Sequence, residues 1–230
     1  MPTAVITGAS RGLGLALADA LARRGWRLVV DARHGTALER AVAGLRGIAD
    51  VTAVAGDVSD DRHRSALAAA VPDGLDLLVH NASALGPSPL PALAELSTTD
   101  LEGVLRTNVV APLGLTQQLL PALRAASGTV LAITSDAASE AYPRWGGYGA
   151  SKAALEQLVA VLAVEHPELT VHAVDPGDMA TEMHQAAFPG EDISDRPDPA
   201  SVVPALLRLL DEGRPSGRYR AADLLVGGAA

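Results

Sequence analysis

The 230-residue sequence contains no cysteine, so it has no disulfide framework, no thiolate nucleophile and no cysteine-ligated metal. Its six histidines show no metal-ligand spacing, and no metal site is expected. No uncharged apolar run reaches the roughly 18 residues of a membrane span. Positive charge is also scarce: 18 Lys and Arg against 27 Asp and Glu give a formal net charge of -9, with the basic residues scattered along the chain. That balance argues against nucleic acid as a partner. Met1 runs at once into the apolar stretch Thr3 to Thr7, which leaves no space for a signal-peptide core, so a soluble cytoplasmic protein is expected. The rarest basic residue is lysine, present once, as Lys152.

What the chain has instead is hydrophobic content, 48% of its residues, enough to bury a substantial core. No linker-like stretch divides it, so a single domain over 1–230 is expected. Short β-branched or leucine-rich runs alternate with longer stretches at helical spacing, the pattern of an α/β, doubly wound parallel sheet with helices on both faces. Strands are expected near 3–7, 27–31, 51–55, 75–80, 128–134, 169–174 and 218–225. Helices are expected near 12–24, 36–46, 60–71, 98–125, 148–165 and 199–212. The segment 182–199, rich in proline and acidic residues, breaks the rhythm and is a candidate substrate lid or a plain surface loop. Helix 148–165 is apolar nearly all round, so one side faces the sheet and the other faces another subunit or the chain's own loops. A homo-oligomer, dimer or tetramer, is the expectation.

Three features carry chemistry. The first strand runs into Thr7-Gly8-Ala9-Ser10-Arg11-Gly12-Leu13-Gly14 and then a helix, a context in which glycines let the backbone approach a pyrophosphate and free N–H groups favour the anion. Ser135 follows a strand, where active residues of open parallel sheets sit. Lys152 stands four residues after Tyr148, on the same face if the segment is helical. Lysine offers a compact ammonium that arginine cannot imitate, and a nearby ammonium favours an ionised phenol.

Thr-Gly-x-x-x-Gly-x-Gly at 7–14, Asn81-Ala82, Ser135 and Tyr-x-x-x-Lys at 148–152, in this order over almost the whole chain, resemble the short-chain dehydrogenase/reductase family in its compact single-domain branch. The resemblance implies a Rossmann-like seven-stranded sheet of order 3-2-1-4-5-6-7 and an NAD(P)-dependent oxidoreductase. The expected reaction is reversible reduction of a ketone or aldehyde to an alcohol. It implies that Ser135 orients the carbonyl, Tyr148 exchanges the proton, and Lys152 supports Tyr148 while bonding the nicotinamide ribose. Asn108 completes a relay by holding a water on its main chain. Pro112, four residues on, has no N–H to give the Asn108 carbonyl, which suits that role.

On the cofactor side the resemblance assigns Thr7, Gly8, Ser10, Arg11, Gly12, Leu13, Gly14, Arg33, Asp57, Val58, Asn81 and Ala82, together with Tyr148, Lys152, Pro176, Gly177 and Thr181. Arg11 and Arg33 occupy the phosphate-binding positions and Ala32 the place of the acid, so NADP(H) is favoured over NAD(H), while Asp31 keeps NAD open. Ser83, where the family usually has glycine, Leu85, Asp136, Tyr142, Trp145, Met179 and Met183 are expected around the small-molecule carbonyl or alcohol. Two other activities remain compatible with the motifs. One is a dinucleotide-binding regulator or scaffold without turnover; the other is an enzyme using the same site for elimination, cyclisation or epimerisation.

Overall fold

Strands covered by helices on both faces read as unbroken hydrophobic runs, and Ala4 to Ile6, Leu28 to Val30 and Leu77 to Val79 are such runs, each fully buried. The computed structural model describes residues 1–71 and 74–226. Seven strands, β1 (Thr3–Ile6), β2 (Arg27–Ala32), β3 (Val51–Ala55), β4 (Leu77–His80), β5 (Thr129–Ile133), β6 (Thr170–Asp175) and β7 (Gly217–Arg220), form one sheet. All neighbours pair in parallel. The order is β3-β2-β1-β4-β5-β6-β7, so strand succession reverses between β1 and β4 and opens a crevice at their carboxyl ends.

Alternate side chains of each strand feed two cores. Ala4, Ile6, Leu28 and Val30 meet Leu17 and Leu21 of α1 (Gly12–Arg23) and Leu206 and Leu209 of α8 (Val203–Asp211). Val5, Val29 and Leu78 meet Leu115, Leu119 and Leu123 of α5 (Ala111–Ala126) and Leu155 and Val159 of α6 (Gly146–Glu165). The three leucines of α5, four residues apart, form one buried stripe. The other helices are α2 (Gly35–Ala43), α3 (Asp61–Ala69), α4 (Thr98–Leu105), α7 (Glu182–Ala187) and α9 (Ala221–Val226).

Three segments depart from expectation. The helix expected over 98–125 is α4 and α5 joined by a π-helical segment, Arg106–Val110, in which the Ala111 N–H reaches the Arg106 carbonyl. Pro112 cannot supply the i→i−4 bond to Asn108, and the chain widens by one residue at that point. The strand expected over 218–225 ends at Arg220, and Ala221–Val226 is helical. Ala221 and Leu224, three apart and both buried, pack on α8, a spacing that suits a helix and not a strand. Segment 182–199 is not structureless: its first third is α7, capped by Thr181 Oγ1, which accepts the His184 N–H at 3.1 Å.

The second face of α6 is bare in the single chain. Val161 is 41% exposed and Val164 81%, so the described loops do not cover it.

Candidate active site

The glycine-rich turn is fixed to the carboxyl end of β4 by Thr7 and Asn81. Thr7 Oγ1 accepts the N–H groups of Asn81 and Ala82, both at 3.0 Å, and donates to the Val79 carbonyl at 3.1 Å. Asn81 Nδ2 donates to the carbonyls of Thr7 at 2.8 Å and Gly8 at 3.1 Å. A Cβ at Gly14 would lie 2.4 Å from Asn81 Nδ2 and 2.6 Å from the Gly8 carbonyl, so only glycine lets α1 seat on the turn. Gly8 and Gly12 hold positive φ, +69° and +56°, which L side chains rarely adopt. Helix α1 starts with no side-chain cap and no acid in its first turn, leaving its amino-terminal N–H groups to an outside anion.

Asp31 has a different occupation from the one considered above. Its Oδ1 accepts the Gly8 N–H at 2.7 Å and its Oδ2 bonds His63 Nε2 at 3.0 Å, with the residue 2% exposed. Both oxygens are therefore engaged in holding the turn to β2 and α3. His63 is a residue that motif reading missed, and Gly56 makes room for its ring: a Cβ there would lie 2.2 Å from His63 Nδ1. The available signal was a histidine four residues before the buried Leu67 on the same face of α3. Arg33 is exposed beside the cavity, and Arg11 pairs with Glu182 of α7.

A single cavity of about 1020 Å³ runs from Arg33 and Asp57, past the glycine turn, to Trp145 and Met183. Ser10, Leu13, Val58, Pro176, Gly177, Thr181, Leu85 and Met179 also border it. Three residues of the expected chemistry, Ser135, Tyr148 and Lys152, line its far end with Ser83 and Asp136. Ser135 Oγ donates to Asp136 Oδ1 at 3.0 Å and accepts the Ala137 N–H at 3.2 Å. The turn after Ser135 lies so close to α6 that a Cβ at Gly149 would sit 2.5 Å from the Ala137 carbonyl. That glycine sets the approach of Tyr148 to Ser135. Trp145 meets the Tyr148 ring edge-on, centroids 5.6 Å apart.

Lys152 is 2% exposed; its Nζ donates to the Ile133 carbonyl at 2.8 Å and lies 5.5 Å from the Tyr148 ring centroid. Burial pulls its ammonium down to about 8, opposed by the charge of Glu156. Burial pushes the Tyr148 phenol above its ordinary value, a hydrogen bond with Ser83 opposes this, and Asp175 and Asp136 add to the rise. Tyr148 is thus a neutral donor at pH 7.

Thr7, Gly14, Asn108 and Tyr142 do not border the cavity. The first two support the turn. Asn108 is buried behind Ser83: its Oδ1 accepts the Ala84 N–H at 2.7 Å and the Ser83 hydroxyl at 3.2 Å, while Nδ2 donates to the Ala84 carbonyl at 2.8 Å and Ser151 Oγ at 2.9 Å. The Tyr142 hydroxyl lies 3.0 Å from Asp136 Oδ2 and 2.8 Å from Glu140 Oε2, and the residue does not border the substrate space expected of it. Among the described residues no cluster of His, Asp or Glu could hold a metal, and no helix is long and apolar enough to cross a membrane.

Known proteins share these features. A family model described as "short chain dehydrogenase" matches residues 2–192. A serine 3-dehydrogenase of Agrobacterium fabrum is 36% identical over 188 residues, 78% of this chain and 73% of the relative. A gluconate 5-dehydrogenase of Gluconobacter oxydans is 30% identical over 98% of this chain and 85% of its own. A short chain dehydrogenase of Escherichia coli, solved in complex with NADPH, superposes with a TM-score of 0.87 at 30% identity, covering 96% of each chain.

Proposed function

Because this chain belongs to the short-chain dehydrogenase/reductase family and is an oxidoreductase of CH–OH groups using a nicotinamide dinucleotide, we propose that it reduces a ketone or aldehyde with NADPH, reversibly. The observation that carries this reading is one continuous cavity bordered by the glycine turn and the exposed Arg33 and also by Ser135, Tyr148 and Lys152. The uncapped start of α1 and the close-packed Gly8 and Gly14 fit a pyrophosphate. The cofactor supplies the hydride when bound.

The chain's residues do the rest. Ser135 hydrogen-bonds the carbonyl oxygen, and the Tyr148 hydroxyl gives it a proton as it gains charge. The Lys152 ammonium stabilises the phenolate that remains, in a buried site where charge interactions are strong. Pro176, Gly177 and Thr181 orient the nicotinamide, and Asn108 supports the relay. Ser83, Leu85, Asp136, Trp145, Met179 and Met183 border the substrate.

The preference for NADPH rests on Asp31. Its two oxygens already hold Gly8 and His63 and the residue is 2% exposed, which disfavours it as the acceptor for a ribose 2′-hydroxyl, whereas the exposed Arg33 offers a guanidinium to a 2′-phosphate. In a thermal-shift comparison, NADPH at about 100 times its Kd should stabilise the protein by about 2.7 kcal/mol. NADH at the same concentration should do markedly less, and Arg33→Ala should narrow the gap. Equal shifts from the two dinucleotides would remove the preference.

A second copy of the chain is the partner this reading assigns to the bare face of α6. Val161 and Val164, exposed on one face of α6, suit a symmetric apolar contact. Sedimentation equilibrium should find a dimer or tetramer that Val164→Asp shifts towards monomer; a monomeric wild-type protein would overturn it.

A further inference from the structure

We infer that Asp136 is the specificity-determining residue of this site, and that the carbonyl compound it selects carries an ammonium group beside the reacting carbon. The substrate class is a small amino ketone or amino aldehyde, reduced to an amino alcohol. The inference deepens the proposed function and rests on Ser135 holding the carbonyl oxygen.

Asp136 follows Ser135 directly, is half-buried and borders the same cavity. Ser135 Oγ donates to its Oδ1 at 3.0 Å, and the Ala137 N–H reaches that oxygen at 2.7 Å. Its Oδ2 is less well supplied. The Tyr142 hydroxyl is 3.0 Å away, but it has one hydrogen and lies nearer to Glu140 Oε2, at 2.8 Å. Two carboxylates therefore share a single hydroxyl hydrogen, and Asp136 has a lone pair to offer a ligand.

Its charge is also unanswered. Asp31, Asp175, Asp178 and Glu182 border the cavity too, and each has a basic side chain within 3.7 Å. Asp136 pairs with no Lys, Arg or His among the described residues. Asp57 and Asp198 also lack such a pair, but they accept the nearby N–H groups of Ser59 and Ala200 and bond no residue of the reacting site.

Reduction makes that placement costly for a neutral substrate. Two hydrogen bonds in series put the carboxylate within about 6 Å of the carbonyl oxygen, which gains negative charge as its carbon receives hydride. Like charges that close oppose each other, more so in a half-buried site than in water. Ser135 must also turn its one hydrogen from Asp136 to the substrate, which takes a donor from the carboxylate. An ammonium on the neighbouring carbon answers both. Its N–H replaces the serine hydrogen at Asp136 in a charge-assisted bond, and its charge offsets the carboxylate while the oxygen is negative. The ammonium takes no part in bond making: the carbon receives hydride and the oxygen receives the Tyr148 proton. A substrate carboxylate in the same place would add a third negative charge.

Aminoacetone, hydroxyacetone, butanone and pyruvate carry a cationic, polar, apolar or anionic group beside the same methyl ketone at pH 7. With NADPH, wild-type kcat/KM should be highest for aminoacetone. Asp136→Asn keeps an oxygen for the Ala137 N–H and removes the charge. It should lower the aminoacetone-to-butanone ratio about tenfold, the effect of one hydrogen bond to a charged group, and raise the pyruvate-to-butanone ratio. Asp136→Glu, which restores the charge, should recover part of both. A merely structural aspartate would change all four rates together and leave the ratios fixed. Unmoved ratios in Asp136→Asn, or a wild-type protein that takes hydroxyacetone or pyruvate as readily as aminoacetone, overturn the inference. Should Asp136→Asn fail to fold, the wild-type order alone decides. Kd values of the four ketones for Tyr148→Phe with NADPH bound, measured by calorimetry, should give the same order without turnover. Failure of the wild-type protein to reduce any of the four would count against the proposed function, whereas a binding order without aminoacetone at its head counts against the inference.

Discussion

Tyr148→Phe should lower turnover of carbonyl substrates by about 10²–10⁴-fold, the range by which a positioned general acid accelerates proton transfer. It should do so without loosening the fold. The ring keeps its edge-on contact with Trp145, and the change removes only the hydroxyl, whose hydrogen bond contributes about 0.5–1.5 kcal/mol. Dinucleotide binding should persist, since the change leaves the glycine turn, Arg33 and Lys152 in place. The check is NADPH oxidation with a panel of ketones and aldehydes, alongside a melting curve with and without NADPH. A variant that keeps a tenth or more of wild-type activity would take Tyr148 out of the proton-transfer step. One that loses its melting transition would show that the tyrosine is needed for folding.

The second large effect is acid destabilisation well above the usual carboxylate range. His80, in β4, is buried with Nε2 at 2.8 Å from Thr116 Oγ1, and burial with the nearby Lys152 charge pulls its imidazole down to about 3. His172, in β6, is fully buried with its ring edge-on to Tyr219 at 5.3 Å. Neither of its ring nitrogens has a hydrogen-bond partner among the described residues, and burial pulls it down to about 4. Both stay neutral in the folded chain at pH 5, whereas the unfolded chain takes up a proton on each below about 6.5. A depressed folded pKa means stability present above the unfolded pKa and lost as pH falls towards the folded one. Between pH 7 and pH 5 each histidine should cost about 2 kcal/mol, together about 4 kcal/mol. Denaturant melts at the two pH values measure the loss directly. His172→Phe keeps an aromatic edge against Tyr219 and should remove about half of it. An unchanged pH dependence in that variant would sink the account for His172.

The positions of the strands could be anticipated because they depend on local patterns, whereas the order of the sheet and the joint role of Ser135, Tyr148 and Lys152 were legible only through the resemblance to a known family. A buried strand is a hydrophobic run, and the residue after a parallel strand sits at the crevice edge. The hydrogen-bond occupancy of side chains was less legible. Whether Asp31 is free for a ribose depends on His63, 32 residues away and brought near only when α3 packs beside β2. The chain of hydrogen bonds from Ser83 through Asn108 to Ser151 likewise joins three elements far apart in sequence. Pro112 signalled an irregularity near Asn108, yet periodicity could not separate a kink from the π-helical widening, because both break the same hydrogen bond. The terminal segment could not be read from periodicity, because five of the six residues of Ala221–Val226 are apolar, which hides which of them pack on α8.

The single lysine has a consequence for proteolysis. A protease specific for lysine has one bond to cut in this chain, between Lys152 and Ala153, inside α6 with the lysine buried. Cleavage requires that turn of helix to unwind, since a protease takes its substrate as an extended strand. The rate of that cut therefore follows how often the helix carrying Tyr148 opens, and fraying at either end of the chain leaves it unaffected.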